Sequence, residues 1–558
     1  MRGTAVLIAS LLACGGSSQD PRQSSAVAWN RWEATLTGST AYENPYRDVT
    51  VSVTYTGPEG QEIEANGYWD GDDTFRLRFM FPSAGKWIWK TTCSDAADGG
   101  LHDQSGTVTV AEPSGDNPLH VHGYPKVSED GRYLTYADGT PFLWMGDTAW
   151  AAPIAATLEE WKAYVDKRRA QRFNVIQVHT GSGWVKLKKD RSGNPAFLGS
   201  GGDLRWNPAY WRRVDEMVKY ANDQGALVFF AAVRQPGEGF PTGDPGKPDA
   251  DEIQIRRFAR MLVARMTGSF VVFSPVADDV STEMADWSGS ELAASSSMHL
   301  VTAHPRFRFP PAETFHGKAY TDFAAVQTGS GWTFDPYLGE PKKPHSGPLA
   351  IQQAIEWPLA LHAREPRKPV LNLEIPYDTK GLQDGDAERY QQPYPSRIPR
   401  SAAYASMLSG AKGITYGCSD VWSWGIPIAW DGADFEDFET ALNQDSATQM
   451  TYMFGLFSDL AWWDLVPRHE LVQNQSAEWL TKMVVAATPD GKLGVAYLPD
   501  NGEIALRMDV FSGPVTAKWF DPQTNAWEAV PGSVASAGVH SFAKPGGWDD
   551  AVLVLSSG

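Results

Sequence analysis

A short apolar run bounded by prolines, Lys368-Pro-Val-Leu-Asn-Leu-Glu374-Ile-Pro-Tyr377-Asp378, stops on a carboxylate. Val and Leu flanked by Pro describe a strand buried on both faces, and a Glu at its C-terminal end sits at the mouth of a barrel rather than in its core. A second run, Phe270-Val-Val-Phe-Ser-Pro275, leads into Val276-Ala277-Asp278-Asp279. Two carboxylates on opposite walls of a mouth are what glycoside cleavage requires. One is protonated, to donate to the leaving oxygen; the other is ionised, to attack the anomeric carbon or to activate water. Successive strand residues alternate faces, so only one of Asp278 and Asp279 faces the mouth. We assign the acid to Asp278, whose like-charged neighbour helps to keep it protonated. Structural readings compete at both places: Glu374 as a capping residue where strand meets loop, and Asp279 as an N-cap of the following helix.

The frame these carboxylates need is a parallel sheet with crossover helices, and strands and helices do alternate along the middle of the chain. Strands are expected at Pro141 to Gly146 (ending at Asp147), Asn174 to His179, Ala226 to Val233, Phe270 to Pro275, His299 to His304, Ala324 to Gln327, Val370 to Glu374 and Gly413 to Tyr416. Helices are expected over Thr157 to Gln171, with Thr157 three residues ahead of Glu160 as a capping box, over Tyr210 to Gln224 and over Glu252 to Met266. Eight such units make one (β/α)8 TIM barrel. The phrase Thr-Gly-Ser-Gly-Trp occurs after the second strand, Thr180 to Trp184, and after the sixth, Thr328 to Trp332. Both copies place a Trp at the mouth, where a ring face can stack on a sugar.

Both flanks of the barrel alternate with a period of two. Val51-Ser-Val-Thr-Tyr, Thr74 to Phe81, Lys86-Trp-Ile-Trp and Thr107 to Val110 predict an N-terminal β-sandwich, and Met483 to Ala487, Leu493 to Tyr497, Val515 to Phe520 and Ala551 to Leu555 a C-terminal one. The expected organisation is therefore multidomain: residues 1–27 a leader and tether, 28–113 a β-sandwich, 118–466 the barrel and 467–558 a second β-sandwich. A net charge of −19, spread along the chain, argues against nucleic acid or an anionic membrane surface as partner. The 23 Trp and 19 Tyr suit a carbohydrate.

Met1 to Ala13 carries one Arg and an apolar run too short to span a bilayer, as a signal peptide does. Leu11-Leu-Ala-Cys14-Gly15 resembles a bacterial lipobox, which makes Cys14 the lipidated residue and a lipid anchor the sole membrane attachment, in the outer membrane or periplasm; ordinary secretion is the alternative. Cys93 and Cys418 fall in different domains and read as buried small hydrophobes. His120-Val-His122 has the spacing of a metal-hydrolase strand, but it precedes two Asp-Gly turns, Asp130-Gly131 and Asp138-Gly139, and no further ligand set accompanies it. No metal and no cofactor are expected.

Phe142-Leu-Trp-Met-Gly-Asp147-Thr-Ala-Trp150, Arg172-Phe-Asn-Val-Ile-Gln, Leu300-Val-Thr-Ala-His304-Pro, Lys368 to Glu374 with Tyr377, and Ser409-Gly-Ala-Lys-Gly-Ile-Thr-Tyr-Gly417 resemble the apiosidase-like glycoside hydrolases, a family 140-like barrel, over roughly residues 125 to 465. The resemblance implies a general acid after strand four and a nucleophile after strand seven, which fall on Asp278 and Glu374. It places Asp147, Trp150, His179, His304, Gln327 and Tyr377 around the sugar; Trp184, Trp332 and Trp422 complete the candidate contacts. The first domain resembles the β-sandwich found ahead of this barrel, and Trp519-Phe-Asp-Pro-Gln with Gly546-Gly-Trp-Asp resembles a terminal domain labelled collagen-binding. Phe273, Val276-Ala277 and Asp378 depart from the family pattern of Trp, Gly-Gly and Glu, so the substrate need not be an apioside. The expected reaction is hydrolysis of a polysaccharide or oligosaccharide with retention; the alternative is a non-catalytic glycan-binding lipoprotein.

Overall fold

A computed structural model of the chain describes residues 23–179, 185, 187–199, 201–233, 249–278, 282–305, 315–329, 347–378, 396–426 and 438–558. Eight parallel strands form its centre: β1 Trp144–Thr148, β2 Val175–His179, β3 Leu227–Val233, β4 Val271–Asp278, β5 His304–Pro305, β6 Ala324–Gln327, β7 Val370–Glu374 and β8 Gly413–Tyr416. They hydrogen-bond in the order β5-β4-β3-β2-β1-β8-β7-β6. That order is a (β/α)8 barrel with one seam, between β5 and β6. The fifth strand is shorter than the sequence suggests because a side chain does the work of a neighbouring strand there. Asp322 accepts from the Val301 amide at 2.7 Å and its own amide donates to the Val301 carbonyl at 2.8 Å, while Thr302 Oγ1 donates to the Phe323 carbonyl at 2.7 Å.

The strands are apolar on both faces because each packs a core on either side. Trp144, Phe229, Phe323, Leu371 and Leu373 fill the barrel, and Leu119, Tyr124, Leu134, Tyr136 and Phe142 belong to the same cluster, closing its N-terminal end. Outside lie helices including Leu158–Ala170, Pro208–Asp223, Asp249–Met266, Gly347–His362 and Arg397–Leu408. The first of these starts with the expected capping box between Thr157 and Glu160.

The N-terminal sandwich stacks a five-stranded sheet on a three-stranded one around Trp32, Tyr55, Phe79 and Trp87. Its first strand is Gln23–Val27, parallel to Ser105–Ala111. Residues expected in the tether are thus part of the sheet. The C-terminal domain pairs a six-stranded sheet with a two-stranded one. His120 and His122 lie on a short helix, Pro118–His122, capped by the Asn117 side chain; His122 Nδ1 is 2.7 Å from the Asp138 carboxylate and His120 packs on Phe270. Cys93 and Cys418 are both buried thiols. The leader with Cys14 lies outside the described residues, as do Asp279, Trp184 and Trp332.

Candidate active site

Strand β7 carries Glu374 to the mouth through an irregularity. Along the β6–β7 pair, Ala324 faces Val370, Ala325 faces Leu371 and Val326 faces Asn372, but Gln327 faces Glu374, so Leu373 is an extra residue. Such a bulge re-aims the side chains beyond it. Leu371 and Leu373 both face the barrel core, and uninterrupted alternation would turn Glu374 outward. Instead it joins a polar cluster at the mouth. The Asn372 amide fixes the strand from behind, bonding the Thr328 and Ser406 hydroxyls at 2.8 and 2.9 Å. In the amide orientation that satisfies both of its ends, it also donates to the Glu374 and Val326 carbonyls.

Each Glu374 oxygen has its own donor. Gln327 Nε2 donates to Oε1 at 2.7 Å and the Tyr377 hydroxyl donates to Oε2 at 3.0 Å. Trp150 Nε1 in turn donates to the Tyr377 oxygen at 2.8 Å. Burial and the neighbouring Glu374 charge push the Tyr377 phenol well above its ordinary range, so it stays protonated and the chain of donors runs one way, from indole to phenol to carboxylate. His304 Nε2 stands 3.8 Å from Oε2, and its ring meets Trp150 edge-on at 5.0 Å. Gln327 and Tyr377, the latter backed by Trp150, hold the carboxylate in one direction.

The remaining candidates distribute as follows. His179 ends β2, buried, its amide donating to the Trp150 carbonyl at 3.2 Å. Trp422, on the short helix after β8, is buried in the cluster that fills the barrel, and its carbonyl accepts from Ala151 at 2.9 Å. Asp278 ends β4 opposite Pro305, one residue past the Ala277–His304 pair. Asp147 does not join this group, and that expectation is corrected. Its carboxylate is fully buried against the helix layer, accepting from Tyr164 Oη and Arg168 Nε, each at 2.6 Å. The pleat gives the reason: Trp144 faces the barrel core, so Asp147, three residues on, faces away. Asp378 likewise turns from the mouth, accepting from Tyr416 Oη at 3.3 Å and from the Ser446 hydroxyl.

Two residues that sequence reasoning did not single out contribute. Phe229 on β3 packs against both Trp150 and His304. Gly329 lies over Glu374 itself, where a Cβ would come within 3.0 Å of Oε1 and 2.7 Å of the Ile375 carbonyl. The repeated Thr-Gly-Ser-Gly-Trp phrase was the available signal for Gly329, though it draws the eye to the Trp. Among the described residues no three His, Cys, Asp or Glu side chains are grouped as metal ligands.

Comparison with known proteins adds three family matches. A model described as "Apiosidase-like, catalytic domain" covers residues 128–464, a domain of unknown function covers 25–94, and "Putative collagen-binding domain of a collagenase" covers 466–556. A search of curated proteins returns no match. Among solved structures, one titled "Glycoside hydrolase" superposes with TM-score 0.68 at 23% identity, over 80% of this chain and 99% of its own. A glycoside hydrolase family 5 structure from Bacteroides vulgatus gives 0.68 at 22%, over 80% of this chain and 95% of its own. A "putative glycoside hydrolase" from the same species gives 0.66 at 15% identity over 96% of this chain and 100% of its own, so the fold likeness extends beyond the barrel to the flanking domains.

Proposed function

Because the chain belongs to the apiosidase-like glycoside hydrolases, we propose that it hydrolyses a polysaccharide or oligosaccharide with retention, Glu374 acting as nucleophile and Asp278 as acid/base. The observation that carries this reading is the Glu374 carboxylate, held at the C-terminal end of β7 with the Gln327 amide on one oxygen and the Tyr377 hydroxyl on the other. A nucleophile needs that orientation, and it needs neighbours that favour the charged form. Asp278, at the end of β4, supplies the second carboxyl group. It donates its proton to the glycosidic oxygen as Glu374 attacks the anomeric carbon; the ionised Asp278 then takes a proton from the water that releases the sugar from Glu374. His304, Trp150, His179 and Gln327 surround the position the sugar ring would take.

Of the departures from the family pattern, Ala277 alone lies in the cluster that fills the barrel; Phe273 and Val276 pack outside it and Asp378 turns from the mouth, so the sugar is left to experiment. Screening purified polysaccharides for released reducing sugar tests the reading. Glu374→Gln is expected to abolish turnover of every substrate. Asp278→Ala is expected to keep activity toward aryl glycosides whose leaving group needs no protonation. A protein that binds glycans yet releases no sugar from any of them would contradict the hydrolase reading. Asp279→Ala, run alongside, should leave this leaving-group pattern unchanged; if it alone reproduced the pattern, the acid would move to Asp279.

A further inference from the structure

Of the tryptophans among the described residues, Trp527 alone is exposed, at 49%. Its position is built rather than incidental. Strands Val515–Phe520 and Trp527–Ala529 form a hairpin in which Phe520 faces Trp527, and the buried Phe520 ring supports the indole at 5.0 Å. Asp521 staples the turn. Its amide donates to the Ala526 carbonyl at 2.8 Å and its carbonyl accepts from Asn525 at 2.9 Å, while its carboxylate accepts from the Gln523 amide at 2.9 Å and the Thr524 hydroxyl at 2.6 Å.

The hairpin also sits at a telling end of the molecule. Phe520 belongs to the core shared with the barrel, so Trp527 extends the barrel-facing side of the sheet past its covered part. Val552 pairs with Phe520, and Asp550, just ahead of it, takes both Arg400 Nε and Nη2 at 2.8 Å. Arg400 lies in the first turn of the helix that follows β7. A barrel helix begins at the end where its preceding strand stopped, so the Trp527 edge stands at the mouth end, beside the wall that carries Glu374. At the other end of the sheet, Val466 pairs with Ala487, next to the segment that Lys412 reaches ahead of β8.

We propose that Trp527 is a glycan-stacking platform that holds the polysaccharide chain beyond the mouth, with Gln523, Asn525 and Asp549 as polar flanks. Gln523 Nε2 already donates to Asp549 Oδ2 at 3.0 Å, which fixes both beside the hairpin. The inference rests on the polysaccharide reading of the active site. A lone indole among carboxylates and amides matches the amphipathic face of a sugar, whereas a protein partner asks for a contiguous apolar patch of several hundred Å².

Affinity electrophoresis of the full-length Glu374→Gln protein through gels containing galactomannan, xylan, β-glucan or pectin tests it, with immobilised collagen as a parallel probe. Retardation in at least one polysaccharide gel is expected to weaken by ~2- to 10-fold in apparent affinity on Trp527→Ala and to persist in Trp527→Phe, the range of an aromatic contact. No retardation in any gel, or retardation indifferent to Trp527→Ala, would overturn the proposal. Trp527-dependent retention on collagen alone would also overturn it. Hydrolysis by the native enzyme is measured separately: turnover without Trp527-dependent retardation sinks only the platform, and Trp527-dependent retardation without turnover sinks only the hydrolase reading.

Discussion

Asp147 and Glu374 are both buried carboxylates near the mouth end of barrel strands, and their neighbours give them opposite tasks. Glu374 meets neutral donors, Gln327 and Tyr377, at the mouth. Asp147 meets a guanidinium: Arg168 is itself fully buried, its charged form stabilised by Asp147, and ringed by Tyr164, Phe173 and Tyr416. Removing one partner of such a pair leaves a buried charge uncompensated, at a cost of about 3–5 kcal/mol. Asp147→Asn is therefore expected to lower the melting temperature sharply while the folded fraction keeps its KM. A raised KM at an unchanged melting temperature would return Asp147 to the sugar site. The residue type and its place at the end of β1 were legible in the sequence; the face was not. Trp144 and Met145 are equally apolar, so nothing in the run says which of them points inward, and Asp147 inherits that ambiguity.

At the scale of the element, both carboxylate-bearing strands carry an irregularity just before their carboxylate. In β7 the extra residue is Leu373. Between β4 and β5, Phe273 pairs with Val301 and Ala277 with His304, so four steps on one strand match three on the other. The positions of β6, β7 and β8 could be read from their apolar runs, but these register shifts could not. A bulge is a property of two paired strands and leaves no mark in the periodicity of either. The loop after β6 completes the arrangement, since Thr328 donates its amide to the Glu374 carbonyl at 2.8 Å and Gly329 leaves no room for a side chain. Gly329→Ala should displace the loop and the carboxylate and lower kcat by roughly 10- to 100-fold, and, because its Cβ would meet the Ile375 backbone carbonyl at 2.7 Å, should lower the melting temperature as well. Wild-type kcat in that variant would show that the position of Glu374 does not depend on the loop.

Across the whole molecule, the two flanking domains are fastened to the barrel rather than strung from it. A single apolar cluster runs through all three. Arg78 and Arg265 share Asp215 at the first junction, with Asp70 reaching in from the sandwich, and Arg400 grips Asp550 at the second. The alternation of strands and helices made the fold class legible, whereas these junctions join segments more than a hundred residues apart that share no local pattern. Three histidines add a pH dependence. Burial pushes His299, His362 and His469 each down to about 4, and His469 bridges the Ser409 hydroxyl of the barrel and the Val485 amide of the terminal domain at 3.0 and 3.1 Å. The unfolded chain takes up these protons near pH ~6.5 and the folded protein only near 4, so stability is present above that window and falls as pH drops through it. Denaturant midpoints should decline from pH 6.5 to 4, less steeply in His469→Gln; parallel slopes would show that His469 contributes nothing. Retention needs the barrel as a whole, because the β4 and β7 walls must place two carboxyl groups about 5 to 5.5 Å apart for direct attack, against about 6.5 to 9.5 Å if a water must fit between them. Asp278 is one methylene shorter than a Glu, which makes the outcome informative. Proton NMR of the first sugar released tests retention most directly. The initial product is expected to keep the anomeric configuration of the substrate; an inverted initial product would rule out Glu374 as nucleophile and recast it as the base that activates water.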